Sequence, residues 1–267
     1  MPASKASSKK AAPKKPAKAA PARVTLEEAM RELEKAGSAQ TRKTYARHGA
    51  VEPMYGVSFA TLKAMTKRID VDHELALSLW ATRNFDARNL AVKIVDPARM
   101  TPADLDRWAR EASPARICGG YVGMLAAEGP HAASKAVQWL ASKDARERSA
   151  AWSLLGQMSQ RDETTPDAWY LERLAEIERT IHSARSAERE GMNMAVITIG
   201  GRNAALRKAA VAAAKRIGKV DVDHGDTACK TPDAATYIEK MWAHSKAKGF
   251  ESPAAQERTR EPQRRRC

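Results

Sequence analysis

Apolar residues recur along most of this chain at intervals of three and four. Ile117, Gly120, Tyr121, Met124 and Leu125 follow the i, i+3, i+4, i+7, i+8 pattern of one helix face. Leu62, Met65 and Ile69 do the same over a shorter stretch, as do Leu75, Leu79 and Trp80, and Leu90, Ala91 and Ile94. Strand-type alternation is essentially absent. The one β-branched run, Ala195-Val-Ile-Thr-Ile199, reads as a buried helix.

Punctuation between these stretches is equally helical. Thr25-Leu-Glu-Glu28 fits a capping box, with Gly37 as the stop. Ser58 and Asn203 stand where N-caps belong, and Gly218 ends the run that Asn203 begins. Thr101-Pro-Ala-Asp104 supplies a cap, a proline at the first helical position and an acid in the first turn. Thr165-Pro-Asp and Thr231-Pro-Asp repeat that pattern. These signals predict about a dozen helices joined by short loops, which pack as antiparallel neighbours. Pairs of roughly 30–45 residues then build an all-α, curved solenoid of helical hairpins. No strict internal repeat exists, so the hairpins are degenerate copies.

Composition adds exclusions. Only 14 of 267 residues are glycine and 5% are aromatic, which favours helix. No apolar run is long enough to span a membrane, and the basic N-terminus lacks the apolar stretch of a secretory signal. Cys118, Cys229 and Cys267 are too few and scattered for a disulfide framework or a zinc finger. The expectation is a cytoplasmic monomer with no metal and no cofactor.

The net charge of +14 is concentrated at the ends. Residues 1–23 hold seven basic residues and no acid; residues 245–267 hold seven basic against three acidic. The body is left only slightly positive. The first 23 residues are Lys/Ala/Pro low complexity that cannot bury enough apolar surface to order, and they read as a DNA-tethering arm. Residues 249–267, ending Arg-Arg-Arg-Cys, are read as a second disordered basic tail, leaving 24–248 as the folded domain.

Several stretches resemble the HEAT-like-repeat DNA alkylation repair proteins, the AlkD type of alkylpurine DNA glycosylase. They are Tyr55-Gly-Val-Ser-Phe-Ala-Thr-Leu62, Leu79-Trp80 with Asp86-Ala-Arg-Asn-Leu-Ala91, and Arg146-Glu-Arg-Ser-Ala-Ala-Trp152. Met192-Asn-Met-Ala-Val-Ile-Thr-Ile-Gly-Gly-Arg-Asn203 looks like a variant of that family's later helices. The likeness covers about residues 40–217. It implies a C-shaped solenoid whose cationic concave face cradles double-stranded DNA, in a bacterial, nucleoid-associated setting.

The resemblance also implies a reaction: hydrolysis of the N-glycosidic bond of a cationic alkylated purine. A carboxylate beside electron-rich aromatic rings stabilises the oxocarbenium-like sugar. The family takes that carboxylate from the end of a Trp-rich segment, an arginine from a following helix and a further Trp beyond. Here the segment reads Ser113-Pro-Ala-Arg-Ile-Cys-Gly-Gly-Tyr121. Gly119 stands where the carboxylate belongs, Ala115 near the aromatic, and Thr198 near the later Trp; only Arg148 has a clear counterpart. Three explanations stay open. The correspondence is shifted; or another carboxylate, such as Asp86 or Asp226, reaches the site; or this branch binds altered DNA without excising a base, which is the favoured one.

Candidate contacts follow. Arg202, Arg207, Lys208, Lys215, Arg216 and Lys219 occur within residues 202–219 without an acid, a local concentration read as phosphate-binding. A solvated helix face is the alternative. The Gly200-Gly-Arg-Asn203 turn, with Asn203 as cap, offers backbone amides to an anion or is simply a tight packing turn. Arg146, Arg148 and Arg161 extend the track; the tryptophans read mostly as core, and Trp152, one turn from Arg148, is the one to test for stacking on DNA. His224-Gly-Asp-Thr-Ala-Cys229-Lys230 brings together His, Asp and Cys but reads better as a structured loop than as a metal site. Two functions remain beside the glycosylase: a DNA-binding scaffold without catalysis, and a protein-interaction module with solubilising tails.

Overall fold

The structure, a computed structural model, describes residues 23–112 and 116–266, apart from the side-chain surroundings of residues 116–119 and 187. The proposed N-terminal arm therefore lies outside the described residues, as does Cys267. The described part is helical: α1 (Leu26–Ala36), α2 (Ala39–Arg47), α3 (Phe59–Ile69), α4 (His73–Ala81), α5 (Phe85–Ile94), α6 (Pro102–Glu111), α7 (Arg116–Glu128) and α8 (Ala132–Leu140). They are followed by α9 (Ala145–Arg161), α10 (Asp167–Thr180), α11 (Ser186–Gly200), α12 (Ala204–Ile217), α13 (Ala234–Ala247), α14 (Pro253–Arg258) and α15 (Gln263–Arg266). No strand occurs among the described residues, only an isolated bridge between Gly37 and Val57.

Most helix starts sit where the sequence puts them. Thr25 and Glu28 form a reciprocal capping box, and Ser58, Thr101 and Asn203 each accept the amide hydrogen bond of an N-cap. Two starts differ. Asp233, not Thr231, caps α13, because its carboxylate accepts from the Thr236 amide. Before α10 the Asp162 carboxylate captures the Thr164 and Thr165 hydroxyls and amides, so Thr165 closes a loop instead of capping a helix. Gly37 ends α1 with φ −67, not in the left-handed region. Its smallness is what matters: a Cβ there would stand 2.4 Å from the Tyr55 carbonyl oxygen.

Helices α4/α5, α6/α7, α8/α9 and α10/α11 are consecutive hairpins, and their second members stack on one another as a continuous layer from α3 through α5, α7, α9 and α11 to α13. Packing in this layer is close enough to demand small residues. A Cβ on Gly123 of α7 would lie 2.2 Å from the Ala150 carbonyl oxygen of α9, and one on Gly191 of α11 would press on Trp152. On the other side of the stack α6 and α8 are joined through the side chain of Asp106, and α10 packs on α12. The α5–α13 layer is the inner side of the stack, on which the C-terminal helices pack. This is the all-α stack of hairpins expected from the helix pattern, and the HEAT-like arrangement that the resemblance implies. The buried apolar residues form two clusters along the stack, one from Ala29 and Leu33 to Met158 and one from Trp152 to Val222 and Ile238, which meet at α9.

The C-terminal segment corrects the sequence reading. Residues 253–258 and 263–266 are helical and dock on the inner layer, α14 against α9 and α13, α15 against α3, α5 and α7. Arg264 is buried, its guanidinium donating to the Val92 and Lys93 carbonyls at the end of α5 and pairing with Glu128 at the end of α7. In return the Lys93 ammonium donates to the Arg264 carbonyl, and Gln157 of α9 donates to Gln263. Its basic run suggested a disordered tail. The segment orders because helix C-termini present carbonyls without partners and a negative dipole end, which arginines satisfy.

Candidate nucleic-acid interface

The arginines of residues 202–219 are engaged by partners within the chain, whereas the lysines are exposed. Arg202 is nearly buried; it donates to the Ser159 and Thr165 carbonyls at 3.1 and 3.0 Å and to the Asp162 carbonyl, while its plane rests 4.8 Å from the Tyr170 ring centre. It ties the end of α9 to the loop before α10, leaving no free donor edge for a phosphate. Asn203 caps α12 with its carbonyl oxygen and donates to Asp167 with its amide. Arg207 pairs with Glu239 of α13 and stacks on Trp242; Arg216 pairs with Glu178 of α10 through two N–H groups at 2.6 and 2.8 Å. The Arg216 contact holds the Glu178 carboxyl below its usual value, and the Arg207 contact does the same for Glu239. Lys208, Lys215 and Lys219 are exposed and make no ion pair among the described residues. α12 itself belongs to the outer layer, against α10 and α11.

Around Arg148 the picture is similar. Its guanidinium makes a two-pronged contact with Glu188 of α11 and donates to the Ser142 carbonyl at 2.7 Å. Glu188 is almost fully buried and Arg148 about a quarter exposed. That hydrogen bond raises the Arg148 pKa further. Arg146 turns back on Asp144, and Arg161 on Glu257 and the Arg260 and Glu261 carbonyls. Trp152 is only 4% exposed and packs between α9 and α11, so in this fold it is a core residue and offers no face for stacking on a base.

Gly119 lies within α7, and Arg116 and Cys118 beside it; Ala115 falls outside the described residues. Neither alternative carboxylate reaches this region as a free group. Asp86 is fully buried and accepts the amides of Tyr55, Gly56 and Val57, at 2.7, 3.0 and 2.9 Å. Asp226 is exposed on the 218–233 loop. In that loop His224 hydrogen-bonds Thr231, and no cluster of potential metal ligands occurs among the described residues.

A different set of residues, none of them within the basic run of residues 202–219, lines a cleft on the inner layer. Tyr237, Lys240, Met241 and His244 share one face of α13; Gln160 of α9 and Arg260, after α14, complete the walls. Each charge is isolated in sequence, and Arg260 belongs to the segment taken as disordered. Spacing along α13 was the available signal.

The sequence profile of the family described as "DNA alkylation repair enzyme" matches residues 29–238. The chain belongs to that family. Among its relatives are the Listeria innocua protein Lin0241 and the Listeria monocytogenes protein Lmo0209, each 29% identical over 223 residues, covering 81% of this chain and 97% of the relative. A solved structure described as a new family of proteins related to the HEAT-like repeat DNA glycosylases with affinity for branched DNA structures is also similar. It superposes with a TM-score of 0.76 at 30% identity, over 85% of this chain and 97% of that one. The family match stops inside α13. Helices α14 and α15, and the cleft wall they build, lie beyond it. No described helix is long and apolar enough to cross a membrane.

Proposed function

We propose that this DNA alkylation repair family member is a DNA-binding protein that engages duplex and branched DNA across its inner helical layer and excises no base. The observation that carries the reading is its likeness, over nearly the whole length of the other chain, to a structure described by affinity for branched DNA. Two features of the site support the absence of excision. On the correspondence drawn from the sequence, Gly119 takes the position of the family carboxylate, and Arg148, the counterpart of the family arginine, is paired with Glu188. The protein acts as a monomer on cytoplasmic, nucleoid DNA, with Lys208, Lys215 and Lys219 adding phosphate contacts at the outer edge.

One observation favours a second reading. Glu188 places a carboxylate against Arg148, on the neighbouring helix instead of on α7. If DNA phosphate drew Arg148 away, Glu188 would be left as a charge able to stabilise an oxocarbenium-like sugar.

The test pairs binding with turnover. Binding to linear duplex and four-way-junction DNA is measured from low to high salt, alongside single-turnover release of methylated purines. The expected result is binding that weakens steeply with salt, persists without residues 1–23, and gives no release. Release that Glu188→Gln abolishes would establish the second reading. Binding that disappears with residues 1–23 would remove the inner layer from consideration.

A further inference from the structure

The cleft between α13 and the C-terminal segment has a volume of about 380 Å³, within the range of small-ligand pockets. Its floor is Met241. Tyr237 lines it and is 44% exposed. Lys240 and His244 follow at one and two turns along the same helix face, both exposed. Arg260 faces them from the other wall, its side chain 45% exposed. The one acid in the lining, Glu257, is buried and shared by Arg161, Arg260 and Arg266, so its charge is outnumbered where it sits.

An exposed aromatic ring flanked by cations, in a recess too small for a duplex, suits one nucleotide out of its stack. Stacking on an aromatic side chain accepts any base, because every base has a π-face, and basic groups beside it track the backbone. Linear duplex presents no such nucleotide. A branch point with unpaired residues does.

We propose that this cleft binds a single unstacked nucleotide at a DNA branch point, the base on Tyr237 and its phosphate among Lys240, His244 and Arg260. The proposal rests on the DNA-binding reading above and deepens it. The cleft exists only because α14 and the residues after it fold back on the inner layer, beyond the family match. The site therefore depends on the C-terminal segment as well as on α13.

The experiment compares full-length protein with Tyr237→Ala and Tyr237→Phe on two DNAs. One is a three-way junction with two unpaired nucleotides at the branch, one of them 2-aminopurine; the other is a linear duplex of equal length. Tyr237 is exposed, so neither change threatens folding. The expected result is roughly tenfold weaker junction binding by Tyr237→Ala, unchanged duplex binding, and junction binding retained by Tyr237→Phe. Quenching of 2-aminopurine on binding should follow the ring, present in wild type and Tyr237→Phe and absent in Tyr237→Ala. Equal junction affinity for wild type and Tyr237→Ala overturns the cleft assignment while leaving DNA binding intact, as does an equal loss on both DNAs. Wild-type protein that binds neither DNA overturns both the general reading and the cleft.

Discussion

Asp106 on α6 shows how a single carboxylate fixes the position of a hairpin. It accepts from the Lys135 ammonium at 2.6 Å, from Trp139 Nε1 at 2.7 Å and from Gln138 at 3.2 Å, all on α8. Lys135 is 3% exposed, so its charge has no recourse to water. Burial pushes the Asp106 carboxyl up, but the bonds from Lys135, Trp139 and Gln138 outweigh it and leave it below the usual aspartate value. Removing one partner of such a pair strands the other. Asp106→Ala is expected to cost about 3 kcal/mol in denaturant unfolding. Because the folded-state pKa is depressed, the stabilisation is complete above the ordinary aspartate value near 4 and fades as pH falls through the folded value. Wild type and Asp106→Asn should therefore converge in stability at acid pH; a gap constant down to pH 2 would exclude the pair as its source. Residue identity was easy to read at such positions and residue role was not. Arg202 looked like a phosphate contact because its sequence neighbours are basic, yet its partners are carbonyls about forty residues earlier. Asp86 looked available for chemistry, and three amides some thirty residues away consume it.

Elements were more legible, since a helix is announced locally by caps and by the spacing of its apolar face. What local pattern withholds is how closely two helices approach. Gly120 and Gly123 lie one turn apart on α7 and look interchangeable in sequence. Their surroundings differ. A Cβ on Gly123 would meet the Ala150 carbonyl oxygen at 2.2 Å and the Leu154 nitrogen at 2.8 Å, both backbone atoms that cannot turn aside. A Cβ on Gly120 would meet only the Ser153 hydroxyl, at an unstrained 3.8 Å. Alanine favours helix over glycine by up to about 1 kcal/mol at either site. Overpacking costs typically about 1–3 kcal/mol, and more when backbones must part. Gly120→Ala should therefore raise the melting temperature slightly, and Gly123→Ala should lower it by several degrees. Equal shifts in thermal unfolding would mean that α7 and α9 are not in this intimate contact. The short helices α14 and α15 were illegible for the opposite reason. Neither carries an amphipathic repeat long enough to register, and their order comes from partners such as the Gly201 carbonyl, which accepts from the Ala254 amide at 3.0 Å.

At the scale of the molecule, the C-terminal segment changes what kind of object the solenoid is. A stack of hairpins is nearly one-dimensional: each unit touches only its neighbours, and the curve of the whole is set by many soft interfaces in series. Residues 252–266 cross that series. Arg265 pairs with Asp70 at the end of α3, Arg264 with Glu128 at the end of α7, and Arg161 at the end of α9 with Glu257. A brace across the inside of an arc ties its opening to its ends, so early and late hairpins should unfold together. Arg264 is the link to cut, being buried with carbonyls and a carboxylate that nothing else satisfies as fully. Arg264→Ala is expected to cost about 3 kcal/mol, and to do so unevenly. Amide hydrogen exchange should quicken in α15 and in the last turns of α3, α5 and α7, while α10 and α12, which α15 does not touch, keep their protection. Uniform loss of protection would mean that the segment merely adds to the core. Loss confined to the braced ends would show that it holds the inner face, cleft included, at one curvature.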